Sequence, residues 1–142
     1  MDSKRFFYDF GKALYHVDAF YDDFAKKSNL APTLLWILYA LNDGSDHTQR
    51  EICEDWALPK STVNTIVMDL KAKGFIELTP IKGKRREMTI VLTDAGKDYA
   101  DGVLKELYVI EKNVFEKMNL KKSVIVEELE KITDLLRGEE VK

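Results

Sequence analysis

Apolar residues recur at three- and four-residue steps near the start of the chain: Phe6, Phe10, Ala13, Leu14, Val17, Phe20, Tyr21 and Phe24, with acids and lysines between them. This period predicts a long amphipathic helix over about 4–27. The next apolar segment, "TLLWILYALN" at 33–42, is hydrophobic nearly all round and stops at Asp43-Gly44. It predicts a buried helix closed by a glycine cap. Thr48-Gln49-Arg50-Glu51 has the spacing of a capping box and should open a short helix that carries Ile52, Cys53 and Trp56 inward. Leu58-Pro59 breaks that helix, and proline suits the first turn of the next, whose core stripe is Val63, Ile66, Val67 and Leu70 before Gly74 ends it. Two short helices joined by a tight turn predict a helix-turn-helix.

Beyond Gly74 the period changes from helical to alternating. "FIELT" and "EMTIVL" read as two strands around a loop containing Gly83. Thr93 then caps a long helix with the stripe Tyr99, Val103, Leu107, Ile110, Val114 and Met118. A last helix follows with Val124, Ile125, Leu129, Ile132, Leu135 and Leu136 facing in. The pattern holds no repeat, low-complexity tract or linker, so residues 1–142 are expected to form one domain. The fold class expected is mainly α with a small β-hairpin wing: six helices, with a winged helix-turn-helix lobe and a helical region at the two ends of the chain.

Composition sharpens this picture only where charge is concerned. The chain of 142 residues carries a net charge of −3, yet residues 59–87 hold seven cations against three acids. Four of those cations, Lys82, Lys84, Arg85 and Arg86, crowd onto the hairpin tip. A protein that meets a polyanion with one face needs positive potential only there. A hairpin directly after a helix-turn-helix is a wing: the second helix can enter the major groove of double-stranded DNA while the loop tip reaches the flanking backbone or minor groove. Negative potential concentrates in a narrow minor groove, and arginine fits it best.

At these residues the chain resembles the multiple antibiotic resistance regulator (MarR) family of bacterial winged-helix transcription factors. The stretch "TQREICEDWALPKSTVNTIVMDLKAKGFI" is similar to the family's recognition unit, and "GKRREMTIVLTDAGK" to its wing, with paired arginines and Leu92-Thr93 and Gly96 at the next helix start. The resemblance implies a homodimer built from the first and last helices, about 4–27 and 93–137, around a helix-turn-helix at about 48–74 and a wing at about 76–92. It implies a repressor that binds a pseudo-palindromic operator and is released by a small aromatic or lipophilic effector. Two positions depart from the family pattern. Lys84 stands where an aspartate is common, which raises the wing charge and removes a carboxylate that could position the wing. Thr65 stands where an arginine is common, which takes away a bidentate guanine contact.

The residues expected to meet DNA are Ser61, Thr62, Asn64 and Thr65 for base edges, Lys60, Lys82 and Lys84 for phosphates, and Arg85 and Arg86 at the wing tip. Phe10, Tyr15, Trp36 and Tyr39 are the candidates for an effector pocket, the competing reading being core and dimer interface. The lone cysteine, Cys53, reads as a small structural hydrophobe rather than a redox sensor. His16 and His47 do not form a ligand set, so neither metal nor cofactor is expected. Glycine-rich phosphate loops, paired catalytic carboxylates and nucleophile–histidine spacings are absent, which argues against an enzyme. No apolar run approaches the roughly 20 residues of a membrane span, and a cytoplasmic location is expected. A winged helix used only for protein contacts is the alternative reading, although it has no need of four cations on its wing.

Overall fold

The computed structural model describes residues 1–84 and 86–140. Its elements run α1 (Ser3–Lys27), α2 (Pro32–Leu41), β1 (His47–Thr48), α3 (Gln49–Asp55), α4 (Lys60–Ala72), β2 (Ile76–Pro80), β3 (Met88–Leu92), α5 (Asp94–Lys117) and α6 (Lys122–Glu139). The chain divides within α5 into two compact units, Met1–Leu107 and Tyr108–Lys142. Six helices and a small sheet match the expected winged-helix class.

Within the first unit, α2 is the centre of the core. Leu35, Ile37, Leu38, Ala40 and Leu41 are buried, as an all-round apolar helix demands. Around it are buried Phe24 and Ala25 of α1, Ile52 of α3, Val63, Val67 and Leu70 of α4, Ile76 of β2, Ile90 of β3, and Ala100, Leu104 and Leu107 of α5. The end of α2 differs from the expected glycine cap. The Asn42 N–H donates to the Leu38 carbonyl to close the helix, and Gly44 adopts its left-handed φ of +84° two residues later. The glycine therefore serves the turn that follows.

The sheet has three strands in the order β1-β3-β2, all antiparallel, where the alternation predicts two. The additional strand pairs His47 with Ile90 and Thr48 with Thr89. It is two residues long, too short to show a period. His47 fastens it from the other side: Nε2 lies 2.8 and 2.9 Å from the two Asp43 carboxylate oxygens, and Nδ1 lies 3.7 Å from Glu51 Oε2. The hydrogen bond with His47, then that from the Ser45 N–H, holds the Asp43 carboxyl below its ordinary range. Its contribution to stability is present above the unfolded carboxylate range and is lost as pH falls through the lowered value.

A capping chain ties α5 to the α4–β2 junction. Gly74 ends α4 with φ +78°, and the Thr93 hydroxyl donates to the Gly74 carbonyl at 2.7 Å. The same oxygen accepts from the Gly96 N–H at 3.0 Å, as the expected N-cap should. The Phe75 and Tyr99 rings stack at 4.4 Å across this junction. The buried face of α5 is Gly96, Ala100, Leu104 and Leu107. Small residues at 96 and 100 let the helix approach closely; of the apolar stripe expected from Tyr99 to Met118, Leu107 is buried, and Val114 and Met118 beyond it are exposed. In the second unit α6 buries no residue, so the inward face expected for it meets no core within the chain.

Candidate nucleic-acid interface

The helix-turn-helix is built by α3, a turn through Ala57, and α4. Thr48 Oγ1 accepts from the Glu51 N–H at 3.0 Å, so the capping box forms on its threonine side as the spacing predicts. Ala57 takes a left-handed φ of +49°, which reverses the chain, and the Leu58 N–H closes the turn on the Cys53 carbonyl at 3.0 Å. Ile52 alone of the three expected inward residues is fully buried. Cys53 is half-buried, and Trp56 sits at the end of α3 with 36% of its surface exposed. The Trp56 ring instead packs at 5.3 Å from Trp36 and 6.1 Å from Tyr39.

Pro59 precedes the first turn of α4 and supplies no side-chain cap, and that turn holds no acid. Its free amides and the helix dipole favour an anion there. Lys60, Ser61, Asn64 and Thr65 are all exposed on α4, and Thr62 is half-buried. Two of these groups are already engaged. Thr65 Oγ1 donates to the Ser61 carbonyl at 3.0 Å, and Gln49 Nε2 donates to Asn64 Oδ1 at 3.3 Å.

A groove of about 800 Å³ separates this face from the wing. Arg50, Lys60 and Asn64 line one side and Arg86 and Glu87 the other, with Cys53, Met68 and Met88 among its walls. Lys82, Lys84 and Arg86 are exposed on the hairpin loop, and Arg85 lies outside the described residues. Sequence reasoning missed Glu87. Its carboxylate bridges Arg50 Nη1 of α3 and Lys84 Nζ of the wing, each at 3.3 Å, while Arg50 Nε also meets Glu54 at 2.9 Å. With Lys84 at its tip the wing still has a positioning pair, supplied by Glu87 three residues along the loop. Lys84 first, then Arg50, holds the Glu87 carboxyl below its ordinary range.

Glu87→Gln is expected to lower operator affinity up to about fivefold, the scale of exposed ion pairs, and to leave affinity for random DNA equal or higher because one negative charge is gone. Anisotropy titrations on both duplexes check this; a parallel loss on both would assign Glu87 no positioning role.

The four effector-pocket candidates fall into separate places. Trp36 and Tyr39 contact each other at 5.7 Å, in a cluster that Tyr21 and Trp56 complete. Phe10 packs instead with Phe6 and Phe7 on α1, and Tyr15 is 76% exposed. Among the described residues no group of three or more His, Cys, Asp or Glu side chains is placed to hold a metal, and no helix is long and apolar enough to cross a membrane.

A sequence profile described as MarR family matches residues 28–87, which is the stretch from the end of α1 through the wing loop. The HTH-type transcriptional repressor NicR of Pseudomonas putida is 33% identical over 67 residues, 47% of this chain and 42% of that repressor, so the match spans less than half the length of the curated relative. NMB1585, a MarR family regulator from Neisseria meningitidis, superposes with a TM-score of 0.81 at 25% identity over 92% of each chain. AbfR of Staphylococcus epidermidis gives 0.70 at 17% identity over 96% of this chain and 94% of its own, and reduced AbfR has also been solved bound to DNA. The MarR family profile thus lies on the helix-turn-helix and wing, and the likeness to NMB1585, a MarR family regulator, runs over nearly the whole fold.

Proposed function

We propose that this chain is a sequence-specific transcriptional regulator that binds pseudo-palindromic double-stranded DNA as a homodimer, with α4 in the major groove and the wing on the flanking backbone or minor groove. The observation that carries this reading is the exposed polar face of α4, set across a groove from a cationic wing in a chain that is acidic elsewhere. Lys60 and the uncapped amides of α4 suit phosphate, Asn64 and Ser61 suit base edges, and Arg86, Lys82 and Lys84 suit the duplex beyond. Repression, the role of NicR, is the mode proposed here, since a dimer seated on a promoter excludes other proteins from it.

A small aromatic or lipophilic effector is the proposed release signal. The Tyr21–Trp36–Tyr39–Trp56 cluster supports it, because it joins α1 and α2 to the end of α3, so a ligand that reorders those rings shifts the helix-turn-helix. The cluster sits apart from Phe10 and Tyr15, which are proposed to serve the interface instead.

The test is a salt titration on duplexes selected by the protein from a random pool. Binding should weaken steeply with salt, and Arg86→Ala should weaken operator binding by about 1–2 kcal/mol while lowering the salt slope by about one unit per protomer. A flat or absent signal would favour a winged helix that contacts only proteins. Phenolic acids added to the complex test release through loss of anisotropy, and an unchanged complex across the series removes the effector from the reading.

A further inference from the structure

Gln49 is the first residue of α3, and Asn64 lies on the second turn of α4. They are 15 residues apart in sequence, yet Gln49 Nε2 donates to Asn64 Oδ1 at 3.3 Å, and both residues line one shallow concavity with Lys60 and Ser61. This contact orients the two amides relative to each other. Asn64 is exposed, its Oδ1 already accepts one hydrogen bond, and its Nδ2 carries two donors. Gln49 has given one donor hydrogen to Asn64, and its Oε1 presents an acceptor. Neighbouring Thr65 uses its hydroxyl hydrogen on the Ser61 carbonyl, which leaves it an acceptor only. The pair therefore displays one donor beside one acceptor, borne on two helices and held in register by the bond between them.

Major-groove edges differ in what they can answer. Adenine alone among the bases sets an acceptor, N7, beside a donor, the N6 amino group; guanine sets two acceptors side by side. Resting on the DNA-binding reading above, we propose that Gln49 is a specificity-determining residue, and that Gln49 and Asn64 together read one adenine in each half-site, Asn64 Nδ2 donating to N7 and Gln49 Oε1 accepting from N6. A lone asparagine can make the same bidentate contact; here the bond from Gln49 takes one of the two lone pairs of its oxygen, and Gln49 Oε1 offers a further acceptor from the neighbouring helix. Lys60 and Ser61, which share the concavity, flank the pair and suit the adjoining phosphate.

The experiment uses the full-length protein and the duplex it selects from a random pool. Within that duplex, each adenine of the half-site is replaced in turn by 7-deazaadenine, which lacks the N7 acceptor, and by purine, which lacks the N6 amino group. At one adenine per half-site both analogues should weaken binding of the parent protein, each by a factor within the roughly fivefold to 150-fold range that a bidentate base contact spans. The 7-deaza penalty should vanish in Asn64→Ala and the purine penalty in Gln49→Ala, because each variant lacks the group that the analogue can no longer meet. Penalties at the same adenine that persist undiminished in both variants overturn the pair while leaving DNA binding intact. Loss of both penalties in Asn64→Ala with neither lost in Gln49→Ala also overturns it, and assigns the reading to Asn64 alone. A pool that yields no selected sequence overturns the DNA-binding reading itself, and the pair with it.

Discussion

Gly96→Ala should destabilise the protein by about 3 kcal/mol or more, a fall in midpoint of roughly 6–12 °C, whereas Gly102→Ala in the same helix should leave stability unchanged or raise it by up to about 1 kcal/mol. A Cβ built on Gly96 would lie 1.8 Å from the Phe75 carbonyl oxygen and 2.7 Å from its carbonyl carbon. Both are backbone atoms, so no rotamer change can clear the space, and the helix or the strand must move. Neither is free to do so. The Gly96 N–H is bonded to Thr93 Oγ1, that hydroxyl to the Gly74 carbonyl, and the Thr93 N–H to the same Phe75 carbonyl that the new methyl would strike. A Cβ at Gly102 meets nothing within 4 Å, and alanine is the better helix former. The functional consequence lies one residue further on. Phe75 leads into β2, so a strand pushed away from α5 carries the wing with it, and Gly96→Ala should lose operator affinity even at temperatures where it remains folded. Thermal melts followed by circular dichroism decide the first point; equal midpoints for Gly96→Ala and Gly102→Ala would show that the junction yields without strain.

This junction marks where sequence reading stops. Gly96 is visible beside Thr93 as part of a helix start, and the cap it forms follows from spacing alone. Its need to be glycine does not, because the carbonyl it would strike belongs to a residue 21 positions away. The same limit applies to the site. Ser61, Asn64, Lys82, Lys84 and Arg86 are candidates that local features alone mark, as polar positions off a core stripe and cations on a hairpin loop, and all five are exposed. Glu87 and Gln49 are not so marked, since their roles arise from partners 37 and 15 residues distant, Arg50 and Asn64. A lone glutamate in a basic loop and a glutamine inside a capping box each have a sufficient local explanation, which hides the second one. The strand β1 escaped for a different reason. Two residues cannot display an alternation, and their strand character is imposed by β3. Periodicity also overstated what a single chain can bury. It finds the apolar stripe of α6 correctly, but period reports only that a face is apolar, not what covers it.

The cover we propose for that face is a second copy of the chain, and Leu129→Glu combined with Leu136→Glu should therefore give a monomer whose operator affinity falls by about 10²–10⁴-fold. The two leucines are seven residues apart on α6, so they share one side of the helix, and they are 36% and 54% exposed in the isolated chain. Leu135 beside them is 69% exposed. On α1, Phe6, Phe7 and Phe20 are exposed as well, the first two packed against Phe10 rather than against a core. Exposed apolar surface on this scale is the usual mark of an interface. DNA recognition makes the same demand from the other side. One α4 offers a handful of polar groups, too few for tight specific binding. Two copies placed about one helical turn of duplex apart, roughly 34 Å, combine their contacts with a single association cost. A buried glutamate on each side of the interface removes the apolar contact and adds like charges in a low dielectric. Random-sequence affinity per protomer should change far less than operator affinity, because α4 and the wing lie in Met1–Leu107 and keep their own core. Sedimentation and anisotropy on the parent and the double variant decide it. A parent that is already monomeric at micromolar concentration, or a variant that remains a dimer with full operator affinity, would move the interface elsewhere.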